Sequence, residues 1–464
     1  MNARISRRGL LQAGAAVATT AAAASLLPRF AFAQGAGTFR VGTLSPVHQT
    51  NDPGGPMSAR LTRRDLIIAG ASLAATSALP RFAFAQGSGT FKVGSLCPVT
   101  GAGSPYGGGM QKAIELAVAE VNAAGGAAGS KLELFAEDGQ TKPDAAVLAA
   151  KKLIEVNKVQ AILGTWSSGV TLAVMPLTDA AGIIEMNCSG APAISTQDTK
   201  DLVWRYQATN DRFGQAFAVI AEKRGWKKPA TMAFNNASGI GNTEGFKKAW
   251  EKKGGKIVAS VVYEPNRPSY RTELQQILAA KPDVIVTGSY LPDSTIILRE
   301  WFQTGQDVKW IMPGWAANPD LVKALGNEVV EGVISVESVS NESAASYKAL
   351  DAAYTKATGK SVSTNAYAAM TYDMVVVLAL AMEAAGPGAT VAQVNAKIRD
   401  IANPPGTPVS SFAEGKKLLA EKKKINYEGA SSRLDFDQYG DVTPDFGVFV
   451  IEKGQLVRRD VVSI

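Results

Sequence analysis

The sequence predicts an α/β protein built as two doubly wound lobes, and three observations carry that prediction. Short β-rich runs alternate with amphipathic stretches from Phe91 onward, and the alternation comes in two sets. The chain has 464 residues, enough for about three compact units. Its composition, 46% hydrophobic and 19% charged, is that of a folded globular chain.

In the first set the expected strands are Phe91–Leu96, Leu132–Glu137, Val159–Leu163 and Ile183–Asn187, with helices near 107–124, 143–156 and 169–181. The second set, after Gln207, has Ala230–Asn235, Ile257–Tyr263, Val284–Thr287 and Lys309–Met312 with helical segments between. Alternating βα units imply parallel strands, so two sets imply two parallel sheets. The stretch 343–421 reads as mostly helical, and Met374–Met382 is too short to cross a bilayer and reads as a buried helix. The chain closes with an extended segment, Arg433–Asp437, and a hairpin of Phe446–Glu452 and Leu456–Val462 turned by Lys453 and Gly454.

The formal charge of +7 is confined to the N-terminus. Residues 1–85 carry nine Arg, no Lys and two Asp, which leaves the body with 39 basic and 39 acidic residues. No basic face is available to neutralise phosphates, which argues against a nucleic-acid partner. The single histidine, His48, also falls in this stretch. The body therefore has no means of running Ser/His/Asp chemistry, a Cys/His couple or a histidine metal site, and neither catalysis, a metal nor a cofactor is expected.

Those N-terminal residues read as export signals. Arg7 and Arg8 precede an Ala-rich apolar stretch ending at Ala31–Gln34, and Arg63 and Arg64 precede a second one ending at Ala83–Gln86. Paired arginines, a mild apolar region and a small-x-small cleavage site resemble a twin-arginine signal. Residues 27–47 align with 79–99 at an offset of 52, differing only at 36/88, 40/92, 43/95 and 45/97, so the segment is a local duplication. The expected reading is that Met57 is the working start, 1–56 a duplicated or mis-called leader, 57–85 the signal peptide, and Ala85 the last residue removed on export to the periplasm.

In an open parallel sheet, ligands bind beyond the carboxyl ends of the strands. The loops there are glycine-rich Cys97–Gly109 with Tyr106, then Trp166–Gly169 and Cys188–Pro192, and in the second set Ser289–Tyr290 and Pro313–Trp315. A serine at a helix N-terminus sets a hydroxyl beside unpaired backbone N–H groups at the positive end of the helix dipole, an arrangement that binds carboxylates. Ser168 is the leading candidate and Ser189 the second, with helix capping as their alternative role. Tyr106, Trp166, Tyr290 and Trp315 are candidate pocket walls, with core packing as the alternative.

Other features read as structural. Gly101 and Gly103 are a fragment of a dinucleotide fingerprint, and Gly125–Lys131 lacks the ending of a phosphate loop and reads as a helix C-cap and turn. Asp211 and Asp373 read as helix caps. In strand order 2-1-3-4-5, Cys97 and Cys188 lie two strands apart, about 9–10 Å, beyond disulfide reach unless the loops curl together.

The blocks VGSLCPVTGAGSPYGGGMQKAIELAVAEVNAAGG, LELFAEDGQTKPDAAVLAAKKLI, PDVIVTGSYLPDSTIILREWFQTG and YEGASSRLDFDQYGDVTPDFGVF, in that order, make the chain resemble the Leu/Ile/Val-binding protein family, the type I periplasmic solute-binding proteins of ABC importers. The resemblance implies two Rossmann-like lobes joined by three hinge crossings near Thr209, Val339 and Leu434. The N-terminal lobe would then be 86–208 plus 340–434, and the C-terminal lobe 209–339 plus 435–464. It also implies that Ser168 binds the carboxylate of the ligand with help from Ser189 or Gly190, and that Tyr106 and Tyr290 are its pocket tyrosines. The partners implied are a small amino acid or carboxylate and a membrane ABC permease, with the chain a monomer.

Where amino-acid binders of that family carry an acid for the ligand's ammonium, this chain has Trp315. The departure favours a carboxylate with an aromatic or apolar body unless Asp293 or another acid takes over. Branched-chain amino acids stay open, and so does a sensor role in which the same solute is presented to a membrane receptor or kinase.

Overall fold

The computed structural model describes residues 89–464. The two signals, the Ala85 cleavage position, Met57 and His48 lie outside the described residues.

The first βα series runs β1 (Gly89–Cys97), α1 (Ser104–Ala123), β2 (Ser130–Asp138), α2 (Pro143–Lys151), β3 (Ala161–Thr165), α3 (Ser168–Ala181), β4 (Ile184–Asn187), α4 (Pro192–Gln197) and β5 (Val203–Arg205). The strands form one sheet in the order β2-β1-β3-β4-β5, with every pairing parallel. The central strand β3 is buried along its whole length, as a strand covered by helices on both faces must be.

The second series is α5 (Asn210–Lys223), β6 (Pro229–Phe234), α6 (Ala237–Lys252), β7 (Ala259–Tyr263), α7 (Arg271–Ala279), β8 (Val284–Gly288), α8 (Leu291–Phe302), β9 (Lys309–Pro313), α9 (Pro319–Leu325), α10 (Asn327–Val330) and β10 (Ile334–Ser338). The chain then forms α11 (Ala345–Thr358), α12 (Ala366–Ala385), α13 (Val391–Asn395), α14 (Ile398–Ala402), β11 (Thr407–Val409), α15 (Phe412–Ala420) and β12 (Ile425–Tyr427). It ends in β13 (Phe446–Glu452) and β14 (Gln455–Val462). The second sheet has the order β14-β13-β10-β9-β8-β6-β7, parallel except for the antiparallel pairs β10–β13 and β13–β14. Lys453 (φ 51°) and Gly454 (φ 77°) make the tight turn of that last hairpin.

Helix α12 is buried from Tyr367 to Met382 and packs against α1, where the Tyr372 hydroxyl donates to Glu120 at 2.6 Å. Long and apolar enough to span a membrane, it is the core helix of its lobe.

Several expectations need correction. Helix α1 begins at Ser104, so Gly107 and Gly109 lie inside it; a Cβ at Gly107 would sit 2.1 Å from the Pro98 carbonyl oxygen, so the glycine serves close packing rather than an open loop. Strands β5, β11 and β12 went unrecognised in the sequence because three residues give too little length for a period, and β10 because Ser335 and Glu337 break its apolar run. Arg433–Asp437 forms no strand: Leu434 adopts φ 61°, and both backbone polar groups of Phe436 bond the Asn403 side chain instead of a ladder. Asp373 is no cap. It sits mid-helix in α12 and accepts from the Ala430 and Ser431 N–H groups and from the hydroxyls of Tyr427 and Ser431. Asp211 lies in the first turn of α5, whose N-cap is Thr209. Cys97 and Cys188 are both buried free thiols.

Candidate functional site

The site forms where the carboxyl ends of the two sets of strands face each other. Helix α3 starts immediately after β3, with Ser167 as N-cap and Ser168 as its first residue. The Ser168 hydroxyl caps nothing; its oxygen accepts the Ala191 N–H at 3.0 Å, which ties the loop after β3 to the loop after β4. A hydroxyl that accepts still has its own proton to donate, and at the positive end of a 14-residue helix that proton suits an anion.

Trp166, Ser168, Gly190, Tyr290 and Trp315 all line one small interlobe cavity, with room for about one water in this closed arrangement. Gly190 is required there: its carbonyl accepts the Asn210 N–H, and a Cβ would lie 2.5 Å from the Asn210 side chain. Tyr106 and Ser189 are placed differently. Tyr106 stands beside the cavity, its ring 5.8 Å from Trp166, and its hydroxyl accepts from Asn318 at 2.8 Å. Ser189 is buried behind the wall, bonding Thr171 at 2.6 Å and the Trp166 carbonyl at 3.0 Å.

The same cavity is lined by Cys188, which the sequence placed in the loop after β4, and by Gln207, Asn210, Ser238 and Tyr367, which it did not single out. Tyr367 packs edge-on to Tyr106 (5.0 Å) and Trp166 (5.8 Å). Its position in the first turn of an apolar helix hid it; Asn365, whose side chain donates to the Tyr106 carbonyl, was the available polar signal. The lobes touch through Tyr290, whose hydroxyl donates to Ser167 at 3.2 Å, while its ring lies 5.2 Å from Trp166. Burial pushes the Tyr290 phenol above its ordinary range, so it stays a neutral donor.

Asp293, the sequence-level candidate for an ammonium partner, is occupied elsewhere: it accepts from the Tyr270 hydroxyl at 2.6 Å and the Asn266 N–H at 3.0 Å and does not line the cavity. The acid near the site is Glu337, on the unrecognised strand β10. Its carboxylate accepts from Ser338 N–H at 3.0 Å and stands 3.4 Å from the Gln207 amide and 3.5 Å from the Tyr367 hydroxyl, both cavity-lining residues. The residue keeps a partly accessible surface, yet the atoms packed round the carboxylate push its pKa up to about 7.

A larger depression of about 540 Å³ lies where Val339–Asn341, Ser432–Asp435 and Asp441–Asp445 run side by side. It is open and acidic and has no aromatic wall, so the interlobe cavity is the better ligand site.

Two parallel sheets with their strand tops opposed across one cavity is the architecture of solute-binding proteins, and a family model described as periplasmic binding protein matches residues 90–418. The chain belongs to the periplasmic binding protein family. Among its curated relatives is the leucine-, isoleucine-, valine-, threonine- and alanine-binding protein of Pseudomonas aeruginosa, 24% identical over 381 residues, 81% of this chain and 94% of the relative. Among solved structures, the leucine-binding protein LivK from Thermotoga maritima superposes with a TM-score of 0.69 at 23% identity, covering 80% of this periplasmic binding protein and 99% of LivK. An ABC-transporter solute-binding protein from R. palustris in complex with benzoate gives a TM-score of 0.64 at 20% identity, covering 81% and 98%.

Proposed function

We propose that this periplasmic binding protein is the solute-capturing component of an ABC importer, closing its two lobes on a small amino acid or carboxylate and passing it to a membrane permease without turnover. One observation carries the reading: Ser168 holds a donor hydroxyl at the N-terminus of α3, inside a cavity walled by aromatic residues from both lobes. The relatives support the same ligand classes, since one binds aliphatic amino acids and another holds benzoate. Ser168, Ser189, Gly190, Tyr106, Trp166, Tyr290 and Trp315 form the proposed ligand site, with Ser189 and Tyr106 acting by holding its walls.

The proposed lobes are 86–208 with 340–434, and 209–339 with 435–464, acting as a monomer after twin-arginine export and cleavage following Ala85. A thermal-shift screen against aliphatic amino acids and against amine-free aromatic and aliphatic carboxylates tests the function. A ligand at a thousand times Kd adds about 4 kcal/mol and raises the midpoint by several degrees. No shift with either panel refutes it.

A further inference from the structure

We propose that Glu185 is a positioning residue for the ligand loop: a proton on its carboxyl heads a chain of hydroxyl hydrogen bonds that ends on the Trp166 carbonyl, so that ligand affinity follows the protonation of Glu185. This role rests on the solute-binding reading above and adds a control to that same site. Glu185 lies fully buried on β4, and its Oε1 stands 3.4 Å from the Thr165 hydroxyl on β3. The Thr165 hydroxyl is 2.9 Å from that of Thr171 on α3, Thr171 is 2.6 Å from the Ser189 hydroxyl, and Ser189 is 3.0 Å from the Trp166 carbonyl oxygen. Trp166 lines the cavity, and Ser168 follows it two residues later in the same loop.

Four contacts in series are thus served by three hydroxyl protons, those of Thr165, Thr171 and Ser189. An ionised Glu185 leaves one oxygen–oxygen contact without a proton: it draws the Thr165 proton, Thr171 then donates to Thr165 and Ser189 to Thr171, and the Trp166 carbonyl loses its hydroxyl partner. A protonated Glu185 fills every contact, donating to Thr165, which donates to Thr171, which donates to Ser189, which donates to Trp166. The other carboxyl oxygen accepts from Thr178 at 2.8 Å in both states. The surroundings favour the proton. Burial raises the pKa of Glu185, and the negative charges of Asp179, in the last turn of α3, and Asp198, ahead of β5, add to the shift. Neither nearby cation answers them at the carboxyl, since Arg205 on β5 is committed to Asp441 and Lys200 to the Asp179 carbonyl. A carboxylate ligand at Ser168 brings a further negative charge, so it binds best when Glu185 is neutral, and by linkage its binding takes up a proton once pH has removed the one on Glu185.

The experiment is calorimetry on the full chain with leucine, phenylalanine, benzoate and 4-hydroxybenzoate at pH 6 and pH 8.5, in paired buffers of different ionisation heat that count the protons exchanged. A probe that binds should do so about threefold more tightly at pH 6, with net proton uptake at pH 8.5. Two folded variants should each remove both signals. Glu185→Gln turns an amide N–H to Thr165 at either pH, and Thr171→Val frees Ser189 to donate to Trp166 whatever the state of Glu185. A Kd and a proton count that do not change with pH in the parent overturn the proposal and leave the solute-binding reading standing. A pH dependence lost in Glu185→Gln but kept in Thr171→Val also overturns it, because Glu185 would then act by charge alone. So does one kept in Glu185→Gln and lost in Glu337→Gln, which assigns the titration to Glu337. No heat with any of these probes at either pH removes both readings.

Discussion

The Ser168 hydroxyl accepts the Ala191 N–H at 3.0 Å, so one side chain couples the loops after β3 and β4. Ser168 lines the cavity and its hydroxyl donates to no protein acceptor among the described residues, which is the state a carboxylate ligand needs. Ser168→Ala is expected to weaken ligand binding by about 1–3 kcal/mol, the range for a lost hydrogen bond to a charged group. Calorimetry checks it, and an unchanged Kd would mean that Ser168 serves only to hold Ala191.

That loop is held from behind by a buried ion pair. The Arg205 guanidinium reaches Asp441 at 2.8 Å, the Ala191 carbonyl at 3.0 Å and the Ser195 hydroxyl at 2.8 Å, and Ser195 donates in turn to Asp441. Asp441→Ala leaves a buried guanidinium without its charge partner, which costs about 3–5 kcal/mol. Thermal unfolding should show a midpoint lower by several degrees, together with weaker ligand binding because Ala191 loses its anchor. A midpoint within a degree of the parent would show that water replaces the carboxylate.

The contrast between what the sequence revealed at this site and what it hid follows from the apolar pattern of the strands. Ser168, Trp166, Tyr290 and Trp315 follow strands with at least three consecutive apolar residues, and Gly190 follows β4, at whose start Ile183 and Ile184 stand, so their loops were placed correctly at strand ends. Glu337 sits on ISVES, where Ser335 and Glu337 interrupt the apolar pattern within five residues, and the strand with its carboxylate was invisible. Tyr367 was absorbed into the apolar run of α12, and Gln207 and Asn210 come to the cavity only because the chain crosses between lobes there. The acid missing at position 315 was legible; the approach of Glu337 on β10 to Gln207 and Tyr367 depends on tertiary packing that no local pattern encodes.

Tyr290 is one of the bridges across the cleft, its hydroxyl donating to Ser167 at 3.2 Å. Tyr290→Phe keeps the ring contacts with Trp166 and Phe234 but removes this bond, worth about 0.5–1.5 kcal/mol, and the open state gains population accordingly. Small-angle scattering of the ligand-free protein should give a larger radius of gyration for the variant, and Kd should rise by a few-fold. Identical scattering curves would show that the remaining contacts, among them the aromatic rings and the Asn318–Tyr106 bond, hold the lobes together without it.

Glu185 sets the pH dependence of stability. It lies fully buried on β4, its carboxylate accepting from the Thr178 hydroxyl at 2.8 Å and standing 3.4 Å from that of Thr165, with no cation beside it. Burial, reinforced by the negative charges of Asp179 and Asp198, pushes its pKa up to about 8 from 4.5. Between these two values the folded protein holds a proton that the unfolded chain releases, so folding stability falls as pH rises through the window. The stabilisation is complete below about 4.5 and gone above about 8. Asp373, raised to about 6, and Glu337, raised to about 7, add the same sign over narrower windows. The thermal midpoint should therefore be several degrees higher at pH 5 than at pH 8. Glu185→Gln, which keeps one acceptor oxygen, offers an amide N–H to the other threonine's hydroxyl oxygen and cannot ionise, should flatten most of that slope. A midpoint that climbs toward pH 8, or a slope the Gln variant retains, would mean that Glu185 keeps an ordinary carboxylate pKa despite its burial.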